Sequence, residues 1–235
     1  MKLSLNSFLT PAILAGGIGS RLGKITKTTP KPLLKVNDEY FINYILEKIY
    51  LTGFKEVYIS VGFLKESFEK LIGKKYKSLK IKYFYEDMAL GTGGAVKNIF
   101  LNTNIENLMV FNGDSYCDFD LKLLINDFLI KKRNTILLCK VKRSERFGNV
   151  TFDARNKITN FVEKKKIPRG YINAGIYILD NKIMEIKKKK FSIEKEFFEK
   201  CNIYEFYAFL SNDRFIDIGT PESLSLSNDF FKKLL

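Results

Sequence analysis

The chain reads as an α/β fold, a mostly parallel mixed sheet flanked by helices, with small antiparallel additions in its second half. Three observations predict it. Short β-rich apolar runs alternate with stretches of helical spacing from Ala12 to Val141, the pattern of βαβ units. The first run breaks into a glycine-rich turn rather than a polar loop. Gly16, Gly91 and Asp114 all fall at the carboxyl ends of predicted strands, where parallel sheets hold their ligands.

Taken in order, Ala12-Ile13-Leu14-Ala15 is long enough for a buried strand and runs into Gly16-Gly17-Ile18-Gly19-Ser20-Arg21. A basic, threonine-rich stretch then ends at Pro30-Lys31-Pro32-Leu33. Ile42, Ile45, Leu46 and Ile49 recur at helical spacing in 41–52, and Gly53 stops that helix. Residues 56–62 read as a strand, 65–72 as a helix and 79–85 as an alternating strand. Gly91-Thr92-Gly93-Gly94 opens a helix through Phe100. Residues 107–111 form a strand ending in Asn112-Gly113-Asp114, and Asp120 is placed to cap a helix over 121–130. Residues 135–141 are another strand.

Beyond it the character changes. Short β-like pieces at 148–152, 157–163 and 171–179, set between turn residues, are the expected antiparallel additions. Ser192 caps a predicted helix through Cys201, with Glu194 in its first turn. Residues 203–210 read as a strand. Residues 215–219 lead into Thr220-Pro221-Glu222, an N-cap followed by proline at N1 and an acid at N2. No repeat, linker or low-complexity stretch interrupts the chain, so a single domain over 1–235 is expected.

Composition narrows the chemistry. A chain of 235 residues, 46% hydrophobic and 14% aromatic, has ample material for a packed core. Its formal charge of +14 attracts anions such as nucleotides and sugar phosphates. The lysines are dispersed, with knots only at 164–166 and 187–190, and the second reads as a solvated face. Nucleic acid is therefore not expected as a partner. There is no histidine, which removes Ser-His and Cys-His nucleophiles, imidazole acid–base work and His-ligated zinc together. Cys117, Cys139 and Cys201 are widely spaced, lack a C-x-x-C pair and read as reduced thiols of a cytoplasmic protein. Ser4, Asn6, Ser7 and Thr10 interrupt the opening apolar run, and no apolar run reaches ~18 residues. Neither a signal peptide nor a membrane span is expected. Phe230 and Phe231 are the candidates to pack on a second copy in a homo-oligomer.

The turn after the first strand reads as a nucleotide-phosphate loop. Glycines let backbone N–H groups approach a ligand closely, and successive N–H groups form an anion-binding concavity. Arg21 and Lys31 add the charge that a triphosphate needs. Two better-known loops fail. Leu22 stands where a dinucleotide fingerprint starting at Gly17 needs its third glycine. Gly23-Lys24 is followed by Ile25 and preceded by Ile18 where a Walker A loop needs glycine. A ligand-free strand-to-helix turn is the plain alternative.

AGGIGSRLGKITKTTPKPLL resembles the signature of the sugar-1-phosphate nucleotidyltransferases, roughly A-G-G-x-G-[ST]-R-L followed by P-K-P-L. Five further stretches resemble that family in order. Glu86 to Ala95 is similar to its E-x-x-x-L-G-T-A-G-A, Asn112-Gly113-Asp114 to its metal-binding G-D, and Phe161-Val162-Glu163-Lys164 to its F-x-E-K. Asn173-Ala174-Gly175-Ile176-Tyr177 is similar to N-A-G-I-Y, and Asp217 to Glu222 to D-I-G-T-P-E. Within the family the chain looks like the D-glycero-α-D-manno-heptose 1-phosphate guanylyltransferase branch, which serves surface polysaccharide synthesis. The mannose and N-acetylmuramic acid 1-phosphate branches share most of these motifs.

The resemblance implies a Rossmann-like fold of the GT-A type. It also implies attack by a sugar-1-phosphate oxygen on the α-phosphorus of a nucleoside triphosphate, GTP in the heptose branch, with release of pyrophosphate. The nucleophile is already an anion, so the missing histidine is no obstacle, and catalysis reduces to positioning and charge neutralisation. Carried over by motif, Arg21 and Lys31 are catalytic, and Asp114 and Asp217 hold Mg²⁺. Leu14, Ala15, Gly16, Gly17, Gly19, Glu86, Gly91, Thr92 and Asn112 hold the nucleotide, and Gly148, Glu163, Lys164 and Asn173 hold the sugar phosphate.

Each role has a duller rival. Asp114 could cap a turn, Asp217 could pair with a lysine, and Arg21, Lys31, Glu86 and the Glu163-Lys164 pair could be solvated charges. Met88-Ala89 stands where relatives often carry proline, and Gly93 replaces a commoner alanine, a change expected to cost little sterically. After Glu222 the chain is expected to hold about one more helix at ~1.5 Å per residue, without room for a second β-helical domain or an acyltransferase activity. Two rival classes remain, a glycosyltransferase using Asp118-Phe119-Asp120 as a D-x-D pair and a non-catalytic nucleotide-binding regulator.

Overall fold

The structure, a computed structural model, describes residues 5–17, 19–23, 25–141, 149–162 and 170–233. In chain order the elements are β1 (Thr10–Leu14), a ribbon of β2 (Lys35–Val36) and β3 (Glu39–Tyr40), α1 (Phe41–Leu51), β4 (Glu56–Val61), α2 (Lys65–Ile72), β5 (Lys75–Tyr76), β6 (Leu79–Tyr85), α3 (Gly91–Leu101) and β7 (Asn107–Asn112). They continue with β8 (Ser115–Cys117), α4 (Leu121–Lys131), β9 (Thr135–Val141), β10 (Asn149–Phe152), β11 (Ile158–Val162), β12 (Gly170–Asp180), α5 (Ile193–Glu196), β13 (Tyr207–Ser211), β14 (Phe215–Asp217) and α6 (Pro221–Lys232). Among the described residues no helix is long and apolar enough to cross a membrane.

Four strands form the parallel heart of the sheet, in the order β7-β1-β4-β6. β1 and β4 are buried along almost their whole length, as strands covered on both faces must be, whereas β6 alternates buried and exposed towards the sheet edge. On one face Ile42, Ile45 and Ile49 of α1 pack with Leu124 and Phe128 of α4 and Phe231 of α6. On the other, Val96, Ile99 and Phe100 of α3 pack with Ile193 of α5. Each such side chain contributes roughly 1.5–3 kcal/mol when fully buried, so the helices are held chiefly by these stripes. Asp120 caps α4 by accepting the Lys122 N–H, and Thr220 caps α6 by accepting that of Ser223.

The second half reverses direction. β12 runs antiparallel to β7, β9 and β10, and β10 to β11, while β13 lies parallel to β9. The register of β12 on β9 slips between Asn173 and Tyr177. Gly175 sits in that slip at φ +75°, where a Cβ would stand 2.3 Å from the Ser115 Oγ. Only glycine tolerates both the angle and the approach.

Three expectations are corrected here. The helix predicted over 192–201 stops at Glu196, where Phe197 leaves helical geometry at φ −123° and both Phe197 and Phe198 turn fully into the core. The chain breaks there into a tight turn, and the two rings join Tyr177, Tyr204 and Phe206 in an aromatic cluster. The strand predicted over 203–210 begins only at Tyr207. Phe231, a candidate to pack on a partner, is buried within its own chain and stacks on Tyr44 at 3.8 Å, while Phe230 is half-buried beside Tyr116.

Candidate active site

A cavity of about 570 Å³ opens at the carboxyl ends of β1 and β7. The turn after β1 supplies Leu14, Ala15, Gly16, Gly17 and Gly19, and the tight turns that follow supply Arg21 and Lys31. Glu86 comes from the end of β6, Gly91 and Thr92 from the start of α3, and Asn112 and Asp114 from the end of β7. Asn173 of β12 and Asp217 of β14 close the ring. The expected residues Gly148, Glu163 and Lys164 lie outside the described residues.

The turn is held by short contacts. The Ala15 N–H donates to the Ser60 carbonyl at 2.8 Å, the Gly113 N–H to the Leu14 carbonyl at 3.0 Å, and the Thr26 hydroxyl to the Gly19 carbonyl at 2.9 Å. Glu86, only 7% exposed, accepts from the Ser60 hydroxyl at 2.9 Å and from the Leu90 N–H at 3.0 Å. A Cβ on Gly16 would lie 2.7 Å from its Oε1. Glu86 is thus a buried brace that ties β4, β6 and the entry to α3 together beneath the turn, not a solvated acid.

The charged groups gather opposite. Lys31, 8% exposed, donates to Asp114 Oδ2 at 2.8 Å. Arg21 is exposed at the rim and makes no hydrogen bond or ion pair among the described residues. β8 and β14 form a two-stranded ladder that sets Ser115 opposite Asp217, and the Ile218 N–H donates to the Asp114 carbonyl at 2.9 Å. Two aspartates far apart in sequence therefore stand side by side. Asp217 Oδ1 accepts the Gly219 N–H at 2.7 Å. Among the described residues no three acidic or cysteine side chains cluster, so a cation here would take two carboxylates and draw its remaining oxygens from ligands. Hard carboxylate donors in that number suit a divalent cation that keeps water or phosphate oxygens in its shell.

The family model for nucleotidyl transferases matches residues 10–233. The chain belongs to the nucleotidyl transferase family. It is 37% identical over 215 residues to the D-glycero-α-D-manno-heptose 1-phosphate guanylyltransferase of Aneurinibacillus thermoaerophilus, covering 89% of this chain and 93% of that one. It is 36% identical over 213 residues to the enzyme of the same name from Campylobacter jejuni, covering 89% and 94%. Among solved structures, HddC from Yersinia pseudotuberculosis complexed with GMP-PN superposes with a TM-score of 0.82 at 31% identity, over 95% of this chain and 99% of that one. Within its family the chain is a sugar-1-phosphate nucleotidyltransferase.

The nucleotidyltransferase cavity also holds residues that sequence reasoning did not assign. Glu194 lines it, accepts from the Thr92 hydroxyl at 3.0 Å through Oε2 and leaves Oε1 without a partner among the described residues. Ser115 and Phe215 face it from the β8–β14 ladder. Tyr177 lies beneath, fully buried, and donates to Asn112 Oδ1 at 2.7 Å. Burial, and then the nearby Glu194 carboxylate, hold its phenol well above the usual range, so it stays a donor. Asn173 spends its Oδ1 on the Gly175 N–H at 2.8 Å, within the register slip. Glu194 carries a faint sequence signal, an acid behind the Ser192 cap, but nothing local places it near Thr92.

Asp118 and Asp120 line a different cavity. Asp118 accepts from Arg214 at 2.9 Å and Asp120 caps α4, so the D-x-D alternative finds neither carboxylate in the cleft. Gly93 serves close packing and leaves no room for a larger residue. A Cβ there would stand 2.2 Å from Cε2 of Phe191.

Proposed function

We infer that this nucleotidyltransferase joins GTP to D-glycero-α-D-manno-heptose 1-phosphate, giving the nucleoside diphosphate sugar and pyrophosphate. One observation carries the mechanism. Arg21, Lys31, Asp114 and Asp217, drawn from four separate places in the chain, line one cavity. The choice of base and sugar rests on the names of the two guanylyltransferases above.

A phosphate oxygen of the sugar phosphate attacks the α-phosphorus of the triphosphate. The new bond is oxygen to α-phosphorus, and the bond to the β-phosphate bridging oxygen breaks, sending its electron pair out on pyrophosphate. No proton need move, because nucleophile and leaving group are both anions. Arg21 at the open rim binds the β- and γ-phosphates as they leave, and Lys31, largely buried, stabilises the charge that builds at the α-phosphate. The backbone of 14–17 and the Gly91-Thr92 edge hold ribose and base, above the brace of Glu86 and beside Asn112. Asn173 holds the sugar phosphate, a role that the motifs also assign to Gly148, Glu163 and Lys164. Asp114 and Asp217 hold Mg²⁺, which when bound neutralises phosphate charge and orients the triphosphate. Lys31 is paired with Asp114, so cationic and carboxylate parts of the site share one corner.

The reading predicts cytoplasmic turnover that needs a divalent cation. Binding of GTP without pyrophosphate release, when Mg²⁺ and each of the heptose, mannose and muramic acid 1-phosphates are supplied, would make the protein a nucleotide-binding regulator instead.

A further inference from the structure

The entry to α3 is gripped by a segment far along the chain. α3 has no side-chain cap at its start. Its first free N–H groups are satisfied by the Phe191 carbonyl, which accepts from Gly93 at 3.0 Å and Gly94 at 3.4 Å. The Phe191 N–H in turn donates to the Leu90 carbonyl at 2.9 Å. One residue therefore bonds the backbone on both sides of Gly91, which is held at φ +73° with Phe191 backbone against its α-carbon. The grip continues through the Ile193 N–H, which donates to the Thr92 hydroxyl at 2.9 Å.

The Phe191 ring completes the fit. It is 5% exposed, sits in the core beneath α3 and covers Gly93 so closely that a Cβ would meet Cε2 at 2.2 Å and Cδ2 at 2.4 Å. The ring is packed on its other sides by the core, and Gly93 cannot retreat without drawing its N–H off the Phe191 carbonyl. Ring and glycine are one interlocked pair.

We propose that Phe191 is a positioning residue for the nucleotide, setting through Gly93 where the Gly91-Thr92 edge of the cleft stands. The proposal rests on the reading that this edge contacts the nucleotide. Phe191 itself touches no substrate, so its effect falls on nucleotide binding rather than on the chemical step. A ring that merely fills core would lower stability and leave binding by the folded fraction unchanged.

The test measures pyrophosphate release and thermal unfolding for wild type, Gly93→Ala, Phe191→Val and the double variant. Each substrate is varied in turn against saturating amounts of the other. Gly93→Ala raises the KM for GTP about tenfold or more, with kcat and the sugar-phosphate KM within about threefold of wild type. The double variant, with room for the methyl, recovers most of that rise, a non-additivity expected only of groups in contact. An unmoved KM for GTP in Gly93→Ala, or a double variant no better than the single one, overturns the proposal. Should Gly93→Ala fail to fold, Phe191→Val alone decides. A raised KM for GTP with the sugar-phosphate KM unchanged supports the interlock, and a lowered unfolding temperature alone refutes it. Wild-type turnover of GTP is a separate readout, and its absence counts against the functional reading instead.

Discussion

The two walls of the cleft are built by different means. The wall from β1, Glu86 and α3 presents mostly backbone, glycine after glycine, on strands that lie parallel and close in sequence to their turns. The wall from β8, β12, β14 and the 191–194 segment presents side chains, brought in by pairings between distant parts of the chain. The first suits the ribose and base of a nucleotide, whose polar edges pair with backbone groups. The second carries the carboxylates and amides that suit a metal ion and a particular sugar. A change on the first wall should disturb shape and stability, whereas one among the charges of the second should strike at turnover.

The sharpest way to break that contrast is Asp114→Asn. Charge is lost without loss of shape, so kcat should fall by about 10²–10³-fold or more while the circular dichroism spectrum holds, with some loss of unfolding temperature because the largely buried Lys31 loses its partner. Lys31→Ala should fall as far, with some added loss of stability because Asp114 loses its partner. Near-normal pyrophosphate release in either variant would remove the charged corner from the mechanism.

Glu86→Ala probes the backbone wall. It strands the Ser60 hydroxyl and the Leu90 N–H inside the protein, and should lower unfolding free energy by about 1–3 kcal/mol in urea. Its KM for the nucleotide should rise more than that for the sugar phosphate. A smaller effect is expected of Tyr177→Phe, which removes the hydrogen bond to Asn112 and should cost about 1 kcal/mol with kcat changed only a few-fold. Asp120→Ala sharpens the contrast from outside. Loss of the α4 cap should cost about 1 kcal/mol of stability and leave kcat at the wild-type value. A large fall in kcat there would revive the D-x-D reading.

What was legible in the sequence follows the same division. The apolar stripe of α1, the Asp120 and Thr220 caps and the alternation of β6 are local signals, and each appears where its residues predict. The glycine turn and the Asn112-Gly113-Asp114 strand end are likewise written in adjacent residues. β8 is three residues long, too short for any periodicity, and only its pairing with β14 makes it a strand. That pairing is what puts Asp217 beside Asp114, which the motifs implied by resemblance and no local rule derives. Glu194 and Phe191 stand on a one-turn helix and the stretch before it, where periodicity has no room to speak. Gly93 shows the limit most clearly. Its neighbours in sequence would accept a methyl, and the residue that forbids it arrives only when the chain has folded.

The most direct measurement is pyrophosphate release by the wild-type protein with Mg²⁺, using four nucleoside triphosphates against heptose, mannose and muramic acid 1-phosphates. The account predicts release with GTP and D-glycero-α-D-manno-heptose 1-phosphate at the highest kcat/KM of the set, abolished by chelating the metal. A higher kcat/KM with another base or sugar would contradict the assigned substrates, and no release from any pair would contradict the mechanism itself.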